Sequence, residues 1–173
     1  MRRPLVAGNW KMHGSRAEAG RLIGELISID VGGGAADVVV CPPFVYLTEV
    51  GHRLRGNAIM LGAQDVCTED SGAHTGEVSA AMLADVGCRF VIVGHSERRA
   101  LYREDDALVA RKFVAALRHG LVPILCVGES LEERERGAMH AVVTRQLEAV
   151  LGAAGVAGFS AAVVAYEPVW AIG

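Results

Sequence analysis

At 173 residues, 51% apolar and 21% charged, the chain has room for one domain with a sizeable core. Its formal net charge is −3 and no segment is dense in Lys or Arg, so it lacks the electrostatic footprint of nucleic-acid or anionic-membrane binding, and the expected partners are small molecules or protein. Cys41, Cys67, Cys88 and Cys126 form no C-x-x-C pair, the apolar stretch from Leu5 to Ala7 is too short for a secretory leader, and the uncharged run from Gly152 to Tyr166 is too short for a membrane span; the expectation is a reduced, cytoplasmic protein with no metal site.

In chain order, β-type runs cover Leu5 to Trp10, Asp37 to Cys41, Ala58 to Gln64, Arg89 to Val93, Leu121 to Val127 and Ala161 to Tyr166. Val38, Val39 and Val40, like Val91, Ile92 and Val93, are continuously apolar, which a parallel sheet buried on both faces requires. Helical patterns lie between the strands. Ser15 with Glu18 fits a capping box, Ala19, Leu22, Ile23, Leu26 and Ile27 share one face, and Gly32 to Gly34 are read as the stop. Ser96 to Arg99 opens a helix after the fourth strand. Asp105 and Asp106 suit a helix N-terminus, Val109, Phe113 and Leu117 form its buried stripe, and Gly120 ends it. Ser130 with Glu133 repeats the capping box before a helix expected to reach about Leu151.

The glycines at 32–34 follow a helix and precede a strand, the reverse of a phosphate cradle, and no G-x-G-x-x-G or Walker sequence occurs. Repeated strand–helix units leave an open doubly wound sheet or a barrel. Asn9 and Lys11 follow the first strand, His95 the fourth and Glu167 the sixth. Polar residues spread over that many strand ends favour a barrel, which converges them on one axis. Glu167 is confined to extended backbone by Pro168 and reads as a positioned general base. Taken singly, Lys11 also fits a solvated loop lysine, Asn9 a turn-bonding side chain and His95 a helix-start residue.

The segments Ala7 to Met12, Val93 to Arg99 and Ala165 to Gly173 resemble the signature stretches of the triosephosphate isomerase family. Cys41 to Phe44, Gly62 to Asp65, Gly72 to Ser79 and Ile124 to Glu129 extend the resemblance along essentially the whole chain. It implies a (β/α)8 TIM barrel and the interconversion of dihydroxyacetone phosphate and glyceraldehyde 3-phosphate through an enediolate, without a cofactor. It further implies Glu167 as the base and His95 as a neutral imidazole polarising the carbonyl, a pairing for which this family is the standard example. Lys11 would supply a fixed cation near the phosphate and the developing oxyanion, and Asn9 would orient the substrate oxygen. Ser96 and Glu97 would support this group, and Gly173 would touch the phosphate from a lid hinged at Pro168, Val169 and Trp170. The long 65–79 connection resembles the loop through which these enzymes form homodimers, with Thr75 reaching into the neighbouring subunit.

The family barrel has eight strands and this sequence holds signals for six, ending within the lid segment. The expectation is a single domain over residues 1–173 comprising about the first six β/α units, with open edges on the first and last strands. Negligible turnover is expected of residues 1–173 alone. The alternative is an inactive fragment or interaction module derived from the family. A metal-dependent epimerase or a Schiff-base aldolase is disfavoured, because neither a convergent ligand set nor a late-strand lysine is visible.

Overall fold

The computed structural model describes residues 3–29 and 34–171. Six parallel strands form one sheet in sequence order: β1 (Leu5–Asn9), β2 (Asp37–Cys41), β3 (Met60–Ala63), β4 (Phe90–Val93), β5 (Val122–Val127) and β6 (Val163–Tyr166). The intervening helices are α1 (Arg16–Ser28), α2 (Leu47–Arg53), α3 (Ala80–Asp85), α4 (Ser96–Tyr102), α5 (Asp106–Arg118), α6 (Leu131–Glu135) and α7 (Met139–Ser160). Each of the six expected runs contains a strand, trimmed by up to two residues at an end.

Alternation along the strands divides the core in two. Val40, Leu61, Val91, Val93, Leu125 and Val127 pack outward with helix residues such as Ile23, Val50, Leu83 and Phe113. Val39, Cys41, Phe90, Ile92, Ile124 and Cys126 point the other way and form a second cluster, joined by Leu5, Met60, Val163 and Ala165. Because that inner cluster draws on all six strands, the sheet is curved around it as the arc of an α/β barrel. Gly62 is the narrow point of this lining: a Cβ there would lie 2.6 Å from Cys41 Sγ.

Burial on both faces holds for β2 and β4 but not for the outer strands. Val6 on β1 is 58% exposed, and Val164 and Tyr166 on β6 are 46% and 49% exposed. Each outer strand has a neighbour on one side only.

Three helix expectations need correction. Ser15 Oγ accepts from the Glu18 amide as expected, but α1 stops at Ser28 ahead of the glycines, and Leu22 is 36% exposed. Gly32 and Gly33 lie outside the described residues. The helix expected from Ser130 to about Leu151 is two helices. The Ser130–Glu133 capping box is complete, yet Gly137 at φ 70° closes α6 with the amides of Gly137 and Ala138 donating to the Arg134 and Glu133 carbonyls. The following α7 runs on to Ser160 with a break at Gly155. For α5 the expected ends agree with the structure: Asp105 caps Leu108, and Gly120 at φ 71° closes a Schellman turn in which Gly120 and Leu121 donate to Leu117 and Ala116.

One buried ionic group ties α4, α5 and the loop after β3 together. Lys112 Nζ lies 2.7 Å from Asp65 and 2.5 Å from Glu104, and Arg98 lies 2.9 Å from Asp65 and 2.6 Å from Glu104. Burial pushes the Asp65 carboxyl above its ordinary range, against the opposing pull of Lys112.

Candidate active site

The described candidate residues sit at or just past the C-terminal ends of their strands, where parallel barrels gather chemistry. Asn9 ends β1 and Lys11 stands two residues beyond it; His95 follows β4 and Glu167 follows β6. Glu167 Oε1 is 3.3 Å from His95 Nε2, and Oε2 accepts from the Ser96 amide at 3.0 Å. Lys11 Nζ pairs with Glu97 Oε1 at 3.0 Å. The base, imidazole and ammonium candidates, widely spaced in the sequence, therefore share one mouth.

His95 is buried and is the N-cap of α4. Its Nδ1 accepts from the Glu97 amide at 3.2 Å, which leaves Nε2 as the protonated nitrogen of a neutral ring. That Nε2–H faces Glu167 Oε1. The helix-start reading and the chemical reading of His95 thus coexist in one geometry. In this tautomer the 3.5 Å approach of Glu97 Oε2 to Nδ1 is not an ion pair.

Asn9 Oδ1 accepts from the Lys11 amide at 2.9 Å, so the side chain shapes the turn that carries Lys11. Among the described residues no acceptor pairs with its Nδ2, which remains a donor for a ligand. Lys11 itself is left-handed, at φ 51°.

Several contributors were not singled out by sequence reasoning. Gln64 Nε2 donates to the Lys11 carbonyl at 2.9 Å and to the Cys41 carbonyl at 2.8 Å. Gln146, buried on α7, clamps both backbone groups of Gly128 at 2.8 and 3.0 Å. A Cβ on Gly128 would come within 1.7 Å of the Glu167 carbonyl oxygen, so the Glu167 main chain lies directly against that clamped glycine. Cys126 neighbours Glu167, and burial, then that carboxylate, push its thiol far up, keeping it protonated. Gln64, Cys126, Gly128 and Glu129 lie in the quoted segments and Gln146 outside them, and pairings between distant positions leave no local pattern in one sequence.

Behind the base, Glu129 is fully buried and accepts from Tyr166 Oη at 2.9 and 3.0 Å and from Trp170 Nε1 at 3.0 Å, with Arg134 at 3.4 Å. Burial pushes its carboxyl up, but the bonds from Trp170, the backbone and Tyr166, with Arg134 nearby, outweigh this and hold it below the ordinary range. It anchors the segment after Pro168, where Val169–Ala171 form one 3-10 turn. Gly173 lies outside the described residues.

Thr75 is exposed and stands apart from this cluster. The 65–79 connection closes on itself through the Cys67 amide and the Val78 carbonyl at 2.8 Å, and residues 69–77 are exposed. No group of three or more His, Cys, Asp or Glu side chains among the described residues could hold a metal ion, and no helix among them is long and apolar enough to cross a membrane.

The family model described as triosephosphate isomerase matches residues 4–173. A triosephosphate isomerase of Dechloromonas aromatica is 59% identical over 173 residues, covering 100% of this chain and 69% of that protein. One from Thiobacillus denitrificans is 60% identical, with 100% of this chain and 68% of that protein covered. The crystal structure of triosephosphate isomerase from Bartonella henselae superposes with a TM-score of 0.86 at 44% identity, over 97% of this chain and 69% of that one. With a family model matching nearly its full length and relatives this similar, the chain belongs to the triosephosphate isomerase family.

Proposed function

We infer that this protein is an isomerase that interconverts dihydroxyacetone phosphate and D-glyceraldehyde 3-phosphate. Glu167 takes a proton from the carbon beside the substrate carbonyl and returns it to the neighbouring carbon. The neutral His95 donates its Nε2–H to the carbonyl oxygen, and the Lys11 ammonium, with Asn9 Nδ2, stabilises the negative charge that develops as the enediolate forms. Ser96 holds the carboxylate through its amide, and Glu97 holds Lys11. Gly173 contributes its amide to the phosphate when the lid segment closes.

The observation that carries this reading is the placement of Glu167 within 3.3 Å of His95 Nε2, on a rim shared with the Lys11–Glu97 pair. Family membership supports the substrate class. The same reading places the protein in glycolysis and gluconeogenesis in the cytoplasm. It treats residues 1–173 as a single domain and the protein as a homodimer docking through the exposed 65–79 loop, with Thr75 entering the partner.

The test is Glu167→Asp in the full protein that carries this chain, which draws the base back by one methylene. The expected result is a kcat about a hundredfold lower with KM within a few-fold. Parental turnover in that variant would remove Glu167 from the base role.

A further inference from the structure

Lys11 is one of two non-glycine residues with positive φ among the described residues, the other being Arg103. A left-handed lysine carries backbone strain and persists where its surroundings hold it on several sides. The Lys11 amide is held by Asn9 Oδ1 at 2.9 Å, and its ammonium by Glu97 at 3.0 Å. Among the described residues its carbonyl is held by Gln64, at 2.9 Å.

Gln64 follows β3 directly and is half-buried, so its amide works in a site only partly open to water. Its Nε2 has two protons and spends both on backbone: one on Lys11, the other on Cys41 at the end of β2. The Cys41 carbonyl also accepts from the Trp10 amide at 3.1 Å. One side-chain nitrogen on β3's loop therefore staples the end of β2 to the turn after β1, at the residue whose conformation is strained. Without that donor, the Lys11 carbonyl loses its partner while Cys41 keeps only the Trp10 amide, and the left-handed peptide is fixed from its amide side only. The ammonium is at the far end of a four-carbon stem, so a small rotation of that peptide becomes a large displacement of charge.

We propose that Gln64 is a positioning residue for Lys11, fixing the left-handed peptide that sets where the ammonium stands over the anionic substrate. This rests on the isomerase reading above, and the experiment separates the two. Gln64→Met keeps the length and removes both donors; Gln64→Glu keeps the shape, removes them too and adds a negative charge. Each is made in the full protein with Lys11 intact and in a Lys11→Ala background, with thermal melting to establish folding. kcat and KM are measured for the triose phosphates, and the affinity for inorganic phosphate is measured by titration calorimetry.

With Lys11 present, the expected loss is about tenfold or more in kcat/KM and a weaker grip on phosphate. In the Lys11→Ala background Gln64→Met changes both quantities by less than about twofold, since the group that Gln64 positions is gone. Equal losses in both backgrounds, or parental kinetics in folded Gln64→Met or Gln64→Glu protein, would overturn the assignment. Parental activity in Lys11→Ala alone would instead sink the role given to Lys11, and with it that part of the isomerase reading.

Discussion

Gly128 has no room for a side chain, since an added Cβ would sit 1.7 Å from the Glu167 carbonyl oxygen, and the obstructing atom is backbone rather than the tip of a movable side chain. Gln146 pins both polar groups of Gly128, and the Glu167 amide donates to Val127 at 2.7 Å, so the two segments have little freedom to separate. Gly128→Ala in the full protein should therefore displace the base and lower kcat about a hundredfold, with a lower melting temperature. Gly24→Ala on α1, where a Cβ meets nothing within 4 Å, should leave kcat unchanged and raise stability by up to about 1 kcal/mol. Kinetics and melting of the two variants make the comparison; unaltered turnover in Gly128→Ala would show that the base's main chain is not fixed from behind. Asn9, Lys11, His95 and Glu167 were legible in the sequence because each follows a strand signal and lies in a signature segment. Gly128, Gln64 and Gln146 were not, because each acts on a backbone far along the chain and carries no distinctive chemistry of its own.

Helices whose ends are written in side chains and glycines could be read directly. The Asp105 cap and Gly120 stop of α5, and the Ser130–Glu133 box of α6, all use local chemistry. Gly137 was equally present in the sequence but was passed over, since the apolar positions of α7 continue a helical pattern past it. The short helices α2 and α3 span seven and six residues, too few turns for a periodicity to stand out. How α5 docks is set by a contact no periodicity reveals. Lys112 is 4% exposed and faces Asp65 and Glu104, and Glu104 Oε2 is buried without a hydrogen-bond partner among the described residues. Lys112→Met in the full protein removes one cation from a group holding two carboxylates, leaving Arg98 to face both. Destabilisation of about 3–5 kcal/mol is expected, read from denaturant unfolding. Raising pH should worsen the variant: burial already pushes the Asp65 carboxyl up, and with Lys112 gone its contribution is retained at low pH and lost as pH rises through its elevated folded pKa. A variant as stable as the parent across pH 5 to 8 would mean that the group does not hold α5 in place.

At the scale of the molecule, the sheet is an arc whose strands run in order from β1 to β6, with both ends unpaired. Six strand signals predicted six strands with open edges on the first and last, and β1 and β6 stand at the two ends of the sheet, with three of five residues of β1 and two of four of β6 exposed. A parallel edge presents a row of unpaired N–H and C=O groups, and here the rows flank exposed Val6, Val164 and Tyr166. The matched relatives are longer, since this chain covers 68–69% of them. Residues 1–173 produced alone would expose both edges and the inner cluster between them. That chain should associate, because β6 of one copy can pair in parallel with β1 of the next and nothing in the geometry closes the series. Light scattering coupled to size exclusion should give species larger than a monomer that grow with concentration, with negligible triose-phosphate turnover. Val6→Lys with Val164→Lys should reduce that growth by placing charge along both edges, without restoring activity. A concentration-independent monomer that melts cooperatively would show that the arc is stable with its edges free, and robust turnover by it would show that six strands suffice for the chemistry.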